Sequence, residues 1–347
     1  MNTIKDVARE AGVSVATVSR VFNETARVTA DTRERVVEAA VRLGYSAHGA
    51  ARSLITSRTS TIGVLLPDLH GEFFSEIIRG IDQATQRRGY HLLVSSSHNN
   101  RSELDAAVRA MRGRVDGLIV MAPTSDMRES VQGIAARFPL VLLSEAETAG
   151  DFSSLGVANF DGGVAMTAHL LGLGHRRIAI VRGPDGNHDA AERHRGYVAA
   201  LAEAGVARNR TLELPGDFTE SSGYDAAERL LSRRTRPTAI FAANDATAIG
   251  VLSALHDRGV RVPEDMAVAG FDDIPTARYI TPALTTVRVD ISGLGARAAT
   301  RLLQAVVNGD GRGVTRDVVP ATLVIRRSCG GGVAPVAARR RGRPSQR

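Results

Sequence analysis

The sequence predicts two architectures in one chain: an all-α helix-turn-helix domain at the N-terminus, followed by an α/β body of two doubly wound parallel-sheet subdomains. Apolar positions recur at helical spacing on either side of Gly12 within about the first 45 residues. From Thr61 onward, short Val/Ile/Leu-rich runs alternate with helical stretches. Charge makes the same division. Of a formal +7 over 347 residues, residues 1–60 carry +3 and residues 335–347 carry +5, whereas residues 61–334 carry −1. Basic ends on a neutral body imply a polyanionic partner at the ends and a different ligand in the middle.

The N-terminal elements follow in order. Thr3 precedes Ile4, Val7, Ala8 and Ala11 at helical spacing, and Asp6 stands three residues after it as a capping-box variant, so a helix runs from about Ile4 to Ala11. Gly12 permits a tight turn, Ser14 caps a second helix over Val15 to Asn23, and Val13 and Val18 fill the space that small Ala8 leaves open. A third helix is expected over Ala30 to Leu43, capped by Thr29, with Val36, Val37, Ala40 and Leu43 as its apolar stripe. An ordinary three-helix bundle has the same outline. The arginine content and the placement of Ala8, Gly12 and Val18 favour a DNA-reading module.

In the body, TIGVLL, HLLVSS, VDGLIVM and PLVLLS read as strands of one half, and RIAIVR, TAIFAA and MAVAGF as strands of the other. Runs this apolar belong to parallel sheets covered on both faces, which bind ligands at the carboxyl ends of their strands. Pro67-Asp68, Gly183-Pro184, Asn244-Asp245 and Asp272-Asp273 fall at such ends and converge on a cleft. Phe73, Phe74 and Phe218 can offer apolar faces there, and Arg193, Asn244 and Asp272 can offer donors and acceptors. One of Phe73 and Phe74 is expected to be half core.

Several classes are excluded. Lys5 is the only lysine, so the body has none for a phosphate loop or a Schiff base. Gly172-x-Gly174 and Gly293-x-Gly295 lack the third glycine of a dinucleotide fingerprint, and no G-x-S-x-G elbow occurs. His188, His194, Asp189 and Glu192 match no common zinc spacing and are expected on exposed loop and helix positions; His175 reads as a helix-end cation. An enzyme, a metal and a cofactor are therefore not expected. Cys329 is the sole cysteine, which fits a reducing cytoplasm. The charged start MNTIKDVAREAG resembles no signal peptide, and no apolar run reaches membrane-spanning length, so no membrane partner is expected.

TIKDVAREAGVSVATVSRVFN, RSL, TIGVLLPD, LGHRRIAIV, FAANDATAIG, RVPEDMAVAGFDD and TPALTTV occur in this order. Over residues 2–327 the chain resembles the LacI/GalR bacterial transcription regulators. The string VSVATVSRV is most similar to that of galactose-type repressors. The resemblance implies a periplasmic-binding-protein-like body in a homodimeric, cytoplasmic repressor that binds double-stranded operator DNA. It also implies a small effector in the cleft, most simply a sugar controlling carbohydrate uptake or catabolism genes. The alternatives are a nucleoside, purine or other non-sugar effector, or, in a different class, a sugar-binding transport protein.

By resemblance, Val15, Ala16 and Arg20 face base edges, with Thr3, Ser14, Thr17, Ser19 and Asn23 alongside and Leu54 wedging into the minor groove. Phe73, Phe74, Arg193 and Asp272 map to effector contacts, and Asn187 and Asp189 lie in the loop that varies with the ligand. The implied limits are 1–46 for the DNA-binding domain, 47–58 for the hinge and 59–328 for the ligand-binding and dimerisation domain. The subdomains of the last are about 61–159 with 291–319, and 160–290 with 320–328; 329–347 form a disordered basic tail. The chain departs from the family at Gly71-Glu72, where Asn-Pro is usual, and at Ala47-His48, where Pro-Asn is usual and which Gly49 follows. The tail has no leucine heptads, so a dimer is expected. Its Arg341-Gly342-Arg343-Pro344 resembles an AT-hook core, and an inert soluble tail is the alternative.

Overall fold

The computed structural model describes residues 3–23, 28–43, 58–122, 124, 127–144, 152–308 and 314–330, without the side chains of Asn23 and Arg128. The hinge, Leu54, Ala47-His48-Gly49 and the Arg-rich tail lie outside the described residues. The chain divides into two compact units, Met1–Thr61 with Arg112–Asp116, and Ile62–Met111 with Gly117–Arg347.

In the first unit, α1 (Ile4–Glu10), α2 (Val15–Asn23) and α3 (Ala30–Arg42) enclose a small core of Val7, Ala8, Ala11, Val18, Val21, Val36, Ala39 and Ala40. Local chemistry fixes the helix ends. The Asp6 carboxylate accepts from both Thr3 N (2.8 Å) and Thr3 Oγ1 (2.7 Å), Ser14 Oγ accepts from Thr17 N (3.1 Å), and Gly12 takes φ +63° in the turn. The third helix departs from expectation at one position. Ala39 is buried where Val37 was expected, and Val37 is 45% exposed. The inward stripe runs Val36, Ala39, Ala40, Leu43 at the 3.6-residue period, and Val37 stands about 100° round from Val36. At the unit's end, Asp116 accepts from Thr59 N (2.6 Å), Thr59 Oγ1 (2.8 Å) and Ser60 N (2.9 Å).

The second unit is built on two sheets. Its strands are β1 (Thr61–Leu66), β2 (His91–Ser96), β3 (Gly117–Val120), β4 (Leu140–Leu143), β5 (Ser153–Val157), β6 (Ile178–Val181), β7 (Glu213–Leu214), β8 (Ala239–Ala242), β9 (Ala267–Ala269), β10 (Thr286–Arg288), β11 (Arg316–Val319) and β12 (Thr322–Val324). The first sheet has order β11-β5-β4-β3-β1-β2 and the second β7-β6-β8-β9; β10 and β12 form an antiparallel pair. The central ladders are parallel in both. Strands β3, β4, β6, β8 and β9 are buried along their whole length, because each is apolar on both faces and covered on both.

The covering helices are α4 (Glu72–Gln86), α5 (Arg101–Met111), α6 (Arg128–Ala135), α7 (Asn159–Gly172), α8 (His188–Glu203), α9 (Glu220–Leu231), α10 (Asp245–Asp257) and α11 (Ile291–Asn308). Among the described residues, no helix is long and apolar enough to cross a membrane. Helix α11 returns to the first half and packs on α4. They cross where both lack a side chain: a Cβ on Gly80 would stand 1.9 Å from the Ser292 carbonyl oxygen, and one on Gly295 2.4 Å from that of Ile77. A methyl group at Gly80 would therefore have to separate two backbones. We expect Gly80→Ala to lower stability by roughly 1–3 kcal/mol or more. Gly133→Ala, on the exposed face of α6 with nothing within 4 Å, should raise it by about 0.5–1 kcal/mol. Thermal denaturation of the two variants checks the pair.

Candidate DNA interface and effector cleft

Helix α2 turns Val18 and Val21 into the core, and its period then sets the opposite face. Ser14, Val15, Ala16 and Arg20 are exposed, and Thr17 and Ser19 are half-buried. The polar residues divide by task. Thr3 donates to Asp6, and Ser14 shares a hydrogen bond with the Thr17 hydroxyl (2.9 Å), so these three serve helix ends. Val15, at 42% exposure, Ala16 and Arg20 present an apolar and cationic surface fit for a DNA groove. Asn23 belongs to α2, and the structure describes its backbone alone.

The cleft centres on a buried cation. Arg193, on α8, is 5% exposed, and its Nε donates to Asn159 Oδ1 (2.8 Å) and its Nη1 to the Ala243 carbonyl (2.6 Å). The Arg193 guanidinium lies 3.8 Å from the Phe271 ring centroid and 5.7 Å from that of Phe218. Its Nη2 stands 3.0 Å from Asp272 Oδ1 as an ion pair outside hydrogen-bond alignment, so that oxygen has no hydrogen-bond donor among the described residues. Asp272 follows β9 in the left-handed region at φ +108°, held by its N–H to Val287 O (2.8 Å) and its carbonyl from Val289 N (3.1 Å). Burial pushes its carboxyl up to about 6, against the opposing pull of Arg193.

Further carboxylates surround the pair. Asp245 accepts from Thr286 Oγ1 (2.5 Å) and Ile274 N (2.9 Å), and burial, reinforced by the Asp272 charge, drives its proton affinity well above the usual range. Asp273 is ion-paired to Arg288 (2.7 Å) and Arg326 (2.5 Å). Half-buried Asp189 accepts from Asn159 Nδ2 (2.9 Å), and burial raises its pKa while the Arg193 charge lowers it. Asn159 thus joins Arg193 to Asp189, a role no sequence pattern announced; nor did the strand pattern distinguish Phe271 from ordinary core.

Other expected site residues also serve the scaffold. Asn244 caps α10 by accepting from Thr247 N (3.0 Å) and donates Nδ2 to the Phe218 carbonyl (3.0 Å). It positions Phe218, whose φ is +72°. Asn187 caps α8 by accepting from Ala190 N (2.9 Å) and forms a backbone bridge with Thr124 of the first half. Phe73 and Phe74 meet edge to face at 5.5 Å, and both are half-buried against the core, where one alone was expected to be. His194 is half-buried with its Nε2 3.0 Å from Glu213 Oε2, which corrects its placement on an exposed face. His175 stands just beyond the end of α7, where burial, with the His169 charge, lowers its pKa, and its Nδ1 shares a hydrogen bond with Thr238 Oγ1 (3.0 Å). Among the described residues, no three His, Cys, Asp or Glu gather as a metal site.

The raised Asp272 carboxyl fixes the sign of a pH effect. Unfolded, it loses its proton near 3.8; folded, it keeps it until about 6. Its stabilising contribution is complete below 3.8 and is lost as pH rises through 6. Relative to wild type, Asp272→Asn should therefore gain stability from pH 4 to pH 7, by about 3 kcal/mol at most. Calorimetric melting of both proteins in pH steps checks this; a constant difference would contradict it.

Comparison with known proteins identifies the family of both parts of the chain. Residues 3–47 match the family model of bacterial regulatory proteins, lacI family, and residues 167–329 match the periplasmic binding protein-like domain. The HTH-type transcriptional repressor PurR of Erwinia tasmaniensis is 38% identical over 335 residues, 96% of this chain and 98% of its own. The lac repressor dimer bound to operator and the anti-inducer ONPF superposes with TM-score 0.85 at 30% identity, covering 94% and 99% of the two chains. A complex of the transcriptional regulator CelR with cellobiose gives 0.71 at 30%, covering 94% and 100%. With a helix-turn-helix unit and a parallel-sheet body matched together over nearly their full length, the chain belongs to the lacI family of bacterial regulatory proteins and is a transcriptional regulator, not an enzyme.

Proposed function

We propose that the protein is a homodimeric repressor whose operator affinity is set by a purine base or nucleoside bound in the cleft. The observation that carries the effector class is the Arg193–Asp272 pair, with its orphaned carboxylate oxygen, set among phenylalanine faces. A flat heterocycle can stack on an aromatic face, donate a ring N–H to Asp272 and accept from an Arg193 N–H that the scaffold leaves uncommitted. The full-length match to a regulator named PurR supports this reading above the carbohydrate expectation. A sugar is the second reading, because vicinal hydroxyls also suit an Arg–Asp pair and the CelR structure contains cellobiose. Titration calorimetry with guanine, hypoxanthine and adenosine against cellobiose, ribose and galactose decides between them: purines alone should bind.

The domain limits given above, with 47–58 as the hinge, belong to the same proposal. Phe73, Phe74, Phe218, Arg193 and Asp272 form its effector contacts, Asp189, Asn187 and Asn244 support them, and Leu54 is its minor-groove wedge. Because the ligand N–H requires an ionised Asp272, effector affinity should rise with pH through about 6. Arg193→Ala should abolish the effector response while operator binding persists; a normal calorimetric response in that variant would remove the cleft assignment.

The DNA face generates its own test. An arginine reaching guanine contributes about 1–3 kcal/mol of discrimination, whereas Val15 and Ala16 can pack only on apolar groups such as thymine methyls. Arg20→Ala should therefore narrow the gap between operator and random-sequence affinity in a gel-shift titration. Equal weakening on both DNAs would limit Arg20 to a phosphate contact.

A further inference from the structure

The two halves of the body meet in a polar contact between Glu72 and Thr276. Glu72 opens α4, the helix that follows β1 of the first sheet. Its carboxylate accepts from Thr276 N (2.9 Å) and from the Thr276 hydroxyl. Thr276 lies in the 3-10 turn Pro275–Arg278, beyond β9 of the second sheet. Both partners are half-buried, and 204 residues separate them in sequence.

We propose that Glu72 and Thr276 form a latch that biases the two halves of the body toward the arrangement in which the cleft is closed. Three features argue for a latch over an incidental surface contact. One carboxylate satisfies two donors of one residue, a geometry that fixes direction as well as distance. Gly71, at φ +91°, turns the chain in the left-handed region just before Glu72, a conformation costly for other residues. The contact also joins the segment carrying Phe73 and Phe74 to the segment carrying Asp272, so the spacing of those groups depends on it. The proposal concerns the relation of the two halves and does not depend on the effector's chemical class.

Two hydrogen bonds to an ionised group are enough to shift a two-state equilibrium by about tenfold or more. The test is single-molecule energy transfer in the full-length protein, free of DNA and effector, between dyes on Gln86→Cys and Arg234→Cys, two exposed positions in opposite halves. Buried Cys329 stays unlabelled. Glu72→Ala should raise the ratio of the wide to the narrow separation by about tenfold. Thr276→Val, which keeps its N–H, should raise it by less, and Thr276→Ser should restore the wild-type ratio. The double variant Glu72→Ala/Thr276→Val should match Glu72→Ala alone, since without the carboxylate the hydroxyl has nothing to hold. Should Glu72→Ala fail to fold, Glu72→Gln, which keeps one acceptor, should give an intermediate ratio. An unchanged distribution in folded Glu72→Ala or Glu72→Gln, or a double variant exceeding Glu72→Ala, overturns the latch.

Discussion

The body of this regulator is arranged around one buried guanidinium. Removing Arg193 from water is expensive unless its charge and its N–H groups are met, and four separate elements supply what it needs. The start of α7 contributes Asn159, the residue after β8 a carbonyl at Ala243, the segment after β9 Asp272, and the rings of Phe271 and Phe218 cover the cation. Each lies at the carboxyl end of a strand or the amino end of a helix, where a doubly wound sheet exposes polar backbone and its loops converge. A well-packed apolar replacement for a buried ion pair is often at least as stable. The pair is therefore a weak device for holding the fold together, which accords with the effector role proposed for it.

The surrounding carboxylates grade the charge of the site. Asp273 is neutralised sideways by Arg288 and Arg326 and therefore adds little field at the cleft. Asp245 finds two neutral donors and, among the described residues, no paired cation, so burial drives it toward its protonated form. Asp272 lies between these limits, with one arginine and one oxygen lacking a donor. Asp272, the acid that faces the arginine, is thus a buried carboxyl pushed up to about 6 while a cation opposes the rise.

What was legible in the sequence is what short-range pattern encodes. The capping box at Thr3, the Gly12 turn and the apolar strands need only neighbours a few residues away, and all appear where expected. Misjudgements arose where the deciding partner is distant. His175 shares a hydrogen bond with Thr238, 63 residues on, and burial lowers its pKa, while Glu213 draws in His194 from 19 residues away. Strand β5, Ser-Ser-Leu-Gly-Val, is too polar to announce itself, and it forms because β4 and β11 present ladders on either side of it. Asn187 and Asn244 stand out in the sequence as polar groups at the cleft, and each also has its carbonyl oxygen committed to a helix N-terminus, a local use that their place at strand ends does not announce.

Within each half, the helices leave no room to slide. Gly80 and Gly295 at the α4–α11 crossing, and Gly163 and Gly196 at the α7–α8 crossing, would each place a Cβ under 2.5 Å from a backbone oxygen of the facing helix. Packing of this kind permits few alternative arrangements, so an effector is poorly placed to deform either half. Contacts that bridge the halves are of another sort: the backbone bridge from Thr124 to Asn187 and the Glu72–Thr276 pair are polar and can be exchanged for water. Since Asn187 begins the helix that carries Arg193, and Glu72 begins the helix that carries Phe73 and Phe74, a ligand that orders the cleft bears on both bridges at once. Movement between two rigid halves, governed by bridges adjoining the ligand groups, is therefore the form of response this architecture makes cheapest.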